Sequence, residues 1–365
     1  MSETDPTVDG SEPALDPVES APPATPAPAP GVTWTGPDEE APGLTWTAPT
    51  EEAPTQPWSS GRESSDPPGC DTCPVCGGVI DPDGYCTQCG AKAQSGRDHY
   101  SEAPASWVAG VCDIGLAHQR NEDALATAAT TEPGQRAVIV VCDGVTTSQD
   151  SDLASLAAAR RARDLLWLDR PQGLGLGRTR ATATAQRLRQ AVEQANLVVI
   201  ETTAPDSSNP ASSTIALALV DDSTCFWASL GDSRVYWLPD LAEAVLLSRD
   251  HSLAQAQIDQ GVDREVAEAS ALAHTITKWL GLDATDLEPC AGRLRLDQTG
   301  WLLVCSDGLW NYASSAADMR QAVERASREP EPTDSPLVLA QRLVDWANGR
   351  GGHDNVTVGL ARCLV

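Results

Sequence analysis

The stretch Arg136-Ala-Val-Ile-Val-Val-Cys-Asp-Gly-Val145 decides how the rest of the chain is organised. It is an almost continuous apolar run, rich in β-branched residues, that stops at Asp143-Gly144. Such a run predicts a strand buried on both faces, because a strand with one solvent-exposed face would alternate apolar and polar residues. Asp143 at the tip of the strand, beside the open carbonyl of Gly144, offers the oxygen ligands that Mg²⁺ and Mn²⁺ prefer. Taken alone, however, Asp-Gly is more often a simple turn.

The same pattern occurs at two later positions, which favours a metal site over a turn. The apolar run that starts at Thr299 ends in Asp307-Gly308, and Asp354-Asn355 stands directly ahead of the β-branched run 356–358. Carboxylates at the ends of three buried strands predict a metal site that is assembled from distant parts of the chain.

Charge and cysteine usage exclude several classes of protein. The chain of 365 residues carries a formal net charge of -27 and has a pI of about 4.3, which argues against nucleic acid as a partner. The first residues are polar and acidic and no apolar run reaches about 18 residues, so we expect no secretory signal, no membrane span and a cytoplasmic protein. Eleven cysteines without a secretory signal argue against a disulfide framework.

Residues 1–69 are dominated by Pro, Ala, Glu, Asp and Thr. This composition predicts a disordered acidic region, because it cannot bury enough apolar surface to offset the entropy of folding. A twelve-residue repeat within it places Trp34, Trp46 and Trp58 at equal intervals. Evenly spaced aromatic anchors could dock on a partner, although a tandem duplication in an unconstrained spacer is the commoner explanation.

Two Cys-x₂-Cys pairs within residues 70–90 predict a small zinc ribbon. Four thiolates at this spacing suit a tetrahedral structural zinc, and the motif resembles the short zinc ribbon of many bacterial multidomain proteins. Zinc would supply most of the folding free energy, since a module of this size has almost no core. Cys70 forms a competing pair with Cys73, which leaves the choice of ligands open, and a redox Cys-x-x-Cys is the alternative interpretation. The four predicted ligands are Cys73, Cys76, Cys86 and Cys89.

After a polar linker over 91–104, the pattern over 105–365 predicts a globular α+β domain. A strand over 107–113 and the buried run are followed by helices over 151–168 and about 181–201, and then by short strands with tight turns. Two antiparallel sheets covered by helices fit this order better than a regular βαβ alternation does. The predicted buried face of the first helix contains Leu153, Leu156, Ala157, Ala159 and Leu165.

The residues that carry chemistry in this domain form a series of motifs. Over residues 107–365 the series resembles the metal-dependent Ser/Thr protein phosphatases of the PPM, or type 2C, family. No single dipeptide is specific, but seven motifs in the order of the family are hard to obtain by chance. They are Asp113-x-Gly115 with Asn121-Glu122-Asp123, Cys142-Asp143-Gly144, Ser213-Thr214, Gly231-Asp232-Ser233-Arg234, Asp250-His251-Ser252, Cys305-Ser306-Asp307-Gly308 and Asp354-Asn355.

The resemblance implies a four-layer αββα sandwich with a two-metal centre of Mn²⁺ or Mg²⁺ at one end. Asp143 would bridge the two metals, and the carbonyl of Gly144 would bind one of them. Asp307 and Asp354 would hold the other. Water between two such cations loses a proton near neutral pH, and the resulting hydroxide can attack phosphorus in line. The implied reaction is hydrolysis of phosphoserine and phosphothreonine in proteins.

Three further acidic residues match secondary metal positions of the family. Glu122 would act on the second metal directly or through water, with Asp123 as close support. Asp232 matches a position that helps to bind a third, weaker metal in bacterial members. Without the resemblance, residues 231–233 could be a hairpin turn and Asp250-His251 a helix N-cap. The implied catalytic residues are Asp143, Asp307, Asp354 and Glu122.

The sequence departs from the family on the side that would face the substrate. Many members carry Arg three residues after the glycine of the first motif, where this chain has His118, with Arg120 two residues later. Either side chain could contact the substrate phosphate, although only Arg offers a bidentate fork. In addition, Val145-Thr146-Thr147 replaces the usual Met-Gly-Gly, Ser151-Asp152 replaces Gly-Glu, and no His follows Asp143-Gly144 as in some eukaryotic relatives.

The resemblance therefore implies a monomeric signalling phosphatase whose substrates are proteins phosphorylated by a Ser/Thr kinase. The alternative is a catalytically weak or inactive scaffold that binds phosphoproteins or kinases through the zinc ribbon and the Trp repeat. Retention of the four catalytic carboxylates favours the enzyme, because a scaffold would be free to lose them. The acidic flanks of the ribbon disfavour a third interpretation, a nucleic-acid-binding module.

Overall fold

The computed structural model describes residues 33–34, 73, 76–90, 93, 95–168 and 177–364. The disorder predicted for residues 1–69 lies outside this part of the chain, except at Thr33–Trp34, which form a short strand, β1. Trp46 and Trp58 of the repeat, and the competing Cys70, also lie outside the described residues.

The described residues form two antiparallel six-stranded sheets and the helices that cover them. After β1, the strands are β2 (His99–Ala105), β3 (Val108–Asp113), β4 (Asp123–Ala129), β5 (Arg136–Asp143), β6 (Ser212–Ser213), β7 (Ile215–Asp221), β8 (Thr224–Leu230), β9 (Arg234–Pro239), β10 (Val245–Leu246), β11 (Leu280–Gly281), β12 (Cys290–Arg295), β13 (Gly300–Cys305) and β14 (Val356–Cys363). The helices are α1 (Ser151–Leu168), α2 (Gly177–Thr202), α3 (Leu253–Asp259), α4 (Arg264–Glu268), α5 (Asp307–Trp310), α6 (Ala316–Arg328) and α7 (Pro336–Asn348).

The two sheets pack face to face between two pairs of helices. The first sheet has the strand order β1-β12-β8-β7-β5-β4, and the second has the order β10-β9-β13-β14-β3-β2. One apolar layer lies between α1, α2 and the first sheet, a second lies between the two sheets, and a third lies between the second sheet, α6 and α7. This is the four-layer α+β sandwich that the sequence predicts.

The burial of β5 explains why its sequence does not alternate. Val138, Val140 and Cys142 face α1 and α2, whereas Ile139 and Val141 face the second sheet. Both faces of the strand are therefore apolar, and all five side chains are fully buried. The strand extends from Arg136 to Asp143, so its tip lies where the sequence places it.

Helix α1 has the predicted bounds, and of its predicted buried residues Ala159 is fully buried while Leu156 and Leu165 pack partly buried against the same core. Leu153 is 56% exposed, whereas Ala154, Ala158 and Ala162 are fully buried against α2 and the first sheet. Small side chains on this face allow close packing of α1, which the bulkier leucines would prevent. The second predicted helix begins at Gly177, four residues before the predicted start.

The predicted linker over 91–104 requires a correction, because β2 occupies its last part. This strand pairs with β3 at the edge of the second sheet, and its register shifts between Glu102 and Ala105. Its polar residues are typical of an edge strand, which has one neighbour and one exposed side. Tyr100 reaches inward, accepts a hydrogen bond from the amide of Leu125 at 2.7 Å, and fixes the strand to the domain. The division into separate regions otherwise stays a prediction.

Among the helices in the described part of the chain, none combines the length and apolar character that crossing a membrane requires.

Candidate metal centre

The acidic residues of four motifs meet at one end of the sandwich. Asp143 ends β5, and the register of the two strands places Asp123 of β4 directly opposite it. Asp307 begins α5 immediately after β13, and its carboxyl group is close enough to Asp143 for a hydrogen bond between them. Asp354 precedes β14 and contributes its charge to the same group of carboxyls. The predicted convergence of three strand-end carboxylates is therefore present in the structure.

Gly144 holds the loop around this cluster close to the end of β5. Its amide donates a hydrogen bond to the carbonyl of Glu122 at 3.1 Å. A Cβ atom at position 144 would lie 2.7 Å from that carbonyl oxygen and 2.9 Å from the carbonyl oxygen of Ser151. Because the two carbonyl oxygens lie so close to position 144, a side chain there would require the backbone to shift. The glycine is therefore required for packing as well as for access to its own carbonyl.

Glu122 is buried and firmly positioned, with 2% of its side chain exposed. Its Oε1 atom accepts hydrogen bonds from Ser151 Oγ at 2.8 Å and from Arg120 Nη2 at 2.5 Å. Arg120 also forms an ion pair with Asp152 at 3.4 Å. The Ser151-Asp152 pair thus supports Glu122 and Arg120.

Asn355 and Ser306 connect the motifs to one another. Asn355 Oδ1 accepts a hydrogen bond from the amide of Glu122 at 2.8 Å, and its Nδ2 atom donates to the carbonyl of Ile114 at 2.8 Å. Ser306 Oγ donates to Asp123 Oδ2 at 2.6 Å. These contacts join segments that are more than 180 residues apart in sequence.

The electrostatics of the cluster indicate a site for cations. Burial raises the pKa of Asp123 to about 7. Burial, and then repulsion by Asp354, raises the pKa of Asp307 to about 7 as well. Burial and neighbouring carboxylates also raise the pKa of Asp143 and Asp232 well above their usual range. A group of buried oxygen donors that repel one another is the environment that a hard divalent cation neutralises.

The two candidates for phosphate binding lie in different surroundings. His118 stands between two acidic groups, with Nε2 at 3.2 Å from Asp354 and Nδ1 at 3.9 Å from Glu122. Its side chain is 21% exposed, so it lies within the cluster. Arg120 is 44% exposed, but its guanidinium is already bound to Glu122 and Asp152.

The turn that contains Asp232 is not a hairpin turn, because β8 and β9 belong to different sheets. The turn carries the chain from the first sheet to the second at the end of the sandwich where the acidic residues meet. Trp310 Nε1 donates a hydrogen bond to the carbonyl of Asp232 at 2.9 Å. Ligand atoms of Asp232, Asp307 and His274 all lie within 4.8 Å of one another. His274 was not predicted from sequence, since no motif or periodicity singles it out.

Asp250 is an ion-pair partner and not a helix cap. Its carboxylate accepts hydrogen bonds from Arg234, one of them from Nη2 at 2.6 Å, and Ser252 caps α3 instead. Arg234 is 1% exposed and lies 3.6 Å from the centre of the Trp310 ring. The Arg234–Asp250 ion pair therefore connects the start of β9 to the residues that precede α3.

Arg234→Met is expected to destabilise the protein by about 3–5 kcal/mol, because it leaves the buried Asp250 carboxylate without its partner. Urea unfolding followed by tryptophan fluorescence measures this loss. Arg189→Met, which breaks an exposed pair with Glu288, should change the free energy of unfolding by less than about 1 kcal/mol. Equal effects of the two substitutions would contradict the prediction.

The four predicted zinc ligands also come together. The sulfur atoms of Cys73, Cys76, Cys86 and Cys89 lie within 4.8 Å of one another, with Cys73 and Cys89 separated by 3.6 Å and Cys76 and Cys86 by 3.4 Å. Sulfur atoms bound to one tetrahedral zinc at about 2.3 Å would be about 3.8 Å apart, so the arrangement fits the ion. The pKa of Cys86 is lowered to about 6, mainly by a hydrogen bond from the backbone of Cys89. The lower pKa favours the thiolate form, which is the form that binds zinc.

Comparison with known proteins identifies the family. The sequence profile of protein phosphatase 2C matches residues 117–348. The chain belongs to the protein phosphatase 2C family. It is 32% identical over 146 residues to a putative protein phosphatase 2C-type of Streptococcus pyogenes, a match that covers 40% of this chain and 55% of the relative. It is also 32% identical over 149 residues to the protein phosphatase PhpP of Streptococcus pneumoniae, covering 40% and 56%. The chain thus spans about half the length of the curated relatives it matches.

Solved structures of bacterial phosphatases share the fold of this protein phosphatase 2C chain. The serine/threonine phosphatase of S. agalactiae is 25% identical, with a TM-score of 0.57 and coverage of 72% of this chain and 100% of that chain. The serine/threonine phosphatase PstP/Ppp of Mycobacterium tuberculosis is 25% identical, with a TM-score of 0.57 and coverage of 71% and 98%. The family and the αββα architecture predicted from sequence are both confirmed.

The raised pKa values predict how the protein phosphatase 2C domain responds to pH without Mn²⁺ or Mg²⁺. Because Asp123 and Asp307 hold protons more tightly in the folded state, stability should fall as the pH rises from about 4 to about 7. Bound cations would replace those protons. Mn²⁺ at about 100 times its Kd should then raise Tm by ~5–10 °C at pH 7.5, and by clearly less at pH 5. Thermal unfolding scans measure both shifts, and a larger shift at pH 5 would contradict the prediction.

Proposed function

We propose that this protein hydrolyses phosphoserine and phosphothreonine in other proteins with the help of Mn²⁺ or Mg²⁺. The observation that carries the proposal is the meeting of Asp143, Asp307, Asp354 and the buried Glu122 at one end of the sandwich. Membership of the protein phosphatase 2C family supports it. A structure of the related PstP catalytic domain is described as a complex with two manganese ions.

The chain offers oxygen ligands for the metals from four elements. Asp143, with the carbonyl of Gly144, would hold one cation and share the other with Asp307 and Asp354, while Glu122 would act directly or through water. When bound, two such cations lower the pKa of a water molecule between them and neutralise the phosphoryl oxygens. The hydrogen bonds that fix Glu122 and Asp123 keep these ligands in place without a further change of structure.

We infer that His118, and not Arg120, contacts the substrate phosphate. The guanidinium of Arg120 is bound to Glu122 and Asp152, which suits it to position Glu122. The His118 imidazole lies beside Asp354, among the metal ligands, and can donate a hydrogen bond to a phosphoryl oxygen or a proton to the leaving alkoxide.

A cleft of about 260 Å³ adjoins the metal centre and could receive the phosphorylated side chain. Its lining includes Trp310, Tyr312 and His353 together with the metal ligand Asp354. Aromatic and imidazole groups there would contact the aliphatic part of the substrate residue, with the phosphate directed towards the cations.

The substrates would be phosphoproteins made by a Ser/Thr kinase, and the enzyme would act as a monomer in the cytoplasm. The ribbon cysteines would bind a structural zinc ion, which suits four thiolates with no open coordination position. The inactive-scaffold alternative is disfavoured, because every metal-binding carboxylate is retained.

Phosphate release from a phosphothreonine peptide by the full chain tests the proposal. We expect turnover that depends on added Mn²⁺ or Mg²⁺ and that stops when both are withdrawn. A phosphotyrosine peptide of the same sequence serves as the substrate control and should react more slowly. Absence of turnover at saturating Mn²⁺, or turnover that is independent of these cations, would overturn the proposal.

A further inference from the structure

The outer edge of β4 is closed by side chains from the segment 97–102. In the described part of the chain β4 ends the first sheet, so one of its edges has no neighbouring strand. Side chains of this segment bind the backbone of that edge at every second residue of β4. The contacts are Glu102 Oε2 with the amide of Thr127 at 2.6 Å, Tyr100 Oη with the amide of Leu125 at 2.7 Å, and Arg97 Nη2 with the carbonyl of Asp123. The Arg97 contact lies at the metal centre, because Asp123 is the residue opposite Asp143.

Arg97 joins the two chain segments that surround Glu122. Besides the carbonyl of Asp123, its Nη2 atom donates hydrogen bonds to the carbonyl of Asp152 at 3.1 Å and to Ser155 Oγ at 3.4 Å. Ser155 Oγ in turn donates to the carbonyl of Glu122 at 2.5 Å. The guanidinium therefore fixes the start of α1 against the start of β4, next to Glu122.

The main chain at Arg97 is itself anchored in a turn that precedes β2. The amide of Ser95 donates to Asp98 Oδ2 at 2.7 Å, and the amide of Ile114 donates to the carbonyl of Asp98 at 2.7 Å. The carbonyl of Arg97 accepts a hydrogen bond from Nδ2 of the buried Asn121 at 3.0 Å. Because its main chain is held on both sides, the planar guanidinium can keep its acceptors in fixed positions.

The charge and the hydrogen bonds of Arg97 act in opposite directions on a bound cation. Within the described residues its donors contact carbonyl and hydroxyl oxygens and no carboxylate, so its charge repels a cation at the centre. The guanidinium is half-buried and binds the carbonyl of Asp123 rather than its carboxyl, so solvent screens this repulsion. Groups that orient metal ligands contribute about 10- to 100-fold to metal affinity, and we expect this effect to be the larger one.

We propose that Arg97 is a positioning residue of the metal centre, which holds the main chain of Glu122 and Asp123 without contacting cation or substrate. It lies ahead of residues 117–348, which match the protein phosphatase 2C profile, and none of the seven motifs contains it. It is also absent from the lining of the cleft beside the metal centre. The proposal rests on the proposed function, because it concerns the same two-metal centre.

Arg97→Lys in the full chain tests the proposal. The substitution keeps the positive charge, but one ammonium group cannot reproduce a guanidinium that bridges acceptors on two segments. Mn²⁺ affinity, measured from free Mn²⁺ by electron paramagnetic resonance, should weaken by about tenfold. At saturating Mn²⁺, kcat for a phosphothreonine peptide should fall by at least about fivefold. KM for the peptide should stay within about twofold, because residue 97 does not line the cleft.

Arg320→Lys is the matched control. Arg320 Nη2 also donates to two carbonyls, those of Pro239 and Ala242, but at the end of β9 that is remote from the turn containing Asp232. Urea unfolding should show that both variants are folded and lose similar amounts of stability. Arg320→Lys should change Mn²⁺ affinity and kcat by less than about twofold. Amide hydrogen exchange over residues 121–127 in the Mn²⁺-free protein should become faster in Arg97→Lys and not in Arg320→Lys.

The outcomes separate the positioning role from the proposed function. Unchanged Mn²⁺ affinity and kcat in Arg97→Lys would overturn the positioning role, as would equal losses in Arg97→Lys and Arg320→Lys. If no phosphopeptide is hydrolysed by the unsubstituted protein but Arg97→Lys alone weakens Mn²⁺ binding, the proposed function fails while the positioning role stands. If turnover depends on Mn²⁺ and Arg97→Lys behaves as the unsubstituted protein does, the positioning role alone fails.

Discussion

Asp143→Asn is expected to lower kcat/KM for a phosphothreonine peptide by on the order of 10³-fold or more, which corresponds to about 4 kcal/mol of transition-state stabilisation. Asp143 lies in the acidic cluster, where burial and then the charges of Asp123, Asp307, Asp354 and Asp232 raise its pKa. The amide has nearly the same volume as the carboxylate but lacks its charge. Affinity for Mn²⁺ should therefore fall together with the rate.

The controls separate a loss of chemistry from a loss of fold. Asp143→Asn removes one of several repelling buried charges, so the metal-free variant should be at least as stable as the metal-free unsubstituted protein. Asp164→Asn on α1, where the carboxylate is 51% exposed, should change kcat/KM by less than about twofold. Retention of more than a tenth of the activity by Asp143→Asn at saturating Mn²⁺ would contradict the assignment of Asp143 to both metals.

Removal of zinc is expected to unfold the ribbon outright. Structural zinc contributes about 10–16 kcal/mol in comparable peptides, and this ribbon has little else to hold it together. Its buried side chains include Cys73 and Cys86, two of the proposed ligands. Cys86→Ser should therefore reduce bound zinc from one equivalent to near zero and make residues 76–90 sensitive to protease.

The phosphatase domain should survive this loss, because its three apolar layers do not include the ribbon. Mn²⁺-dependent turnover by Cys86→Ser should stay within about threefold of the unsubstituted protein. Cys290→Ser, which alters a cysteine of β12 outside the cluster, is the matched control and should leave zinc content unchanged. An unsubstituted protein without zinc, whose four cysteines form disulfides, would instead support the redox interpretation.

Residues of one motif could be assigned from sequence, whereas contacts between motifs could not. Arg120 illustrates the difference, because sequence offers it as a phosphate ligand and the structure binds it to Glu122 and Asp152. Asp250 was likewise open to interpretation as a helix cap until its buried partner, Arg234, was located. In both cases the chemistry of the side chain is decided by a neighbour that its own local pattern does not reveal.

Some features of this protein follow from the sequence by itself. The almost continuous apolar run that ends at Asp143 predicts a strand buried on both faces, because it is short, rich in β-branched residues and does not alternate with polar ones. The spacing of the four ribbon cysteines limits their chemistry in the same way, since few arrangements other than a zinc site use four closely spaced thiolates. These conclusions depend on the pattern of apolar residues, on composition and on the spacing of cysteines along the sequence, which are properties of the chain before it folds.

The tertiary structure decides which residues share the site. It places β2 at an edge of the second sheet although its composition resembles a linker, because one pairing partner and a few inward side chains suffice for an edge strand. It also brings His274 within reach of Asp232 and Asp307, across gaps of 42 and 33 residues in sequence. Proximity of this kind arises from the packing of the sheets and the α3–α4 segment, and no local pattern of the sequence encodes it.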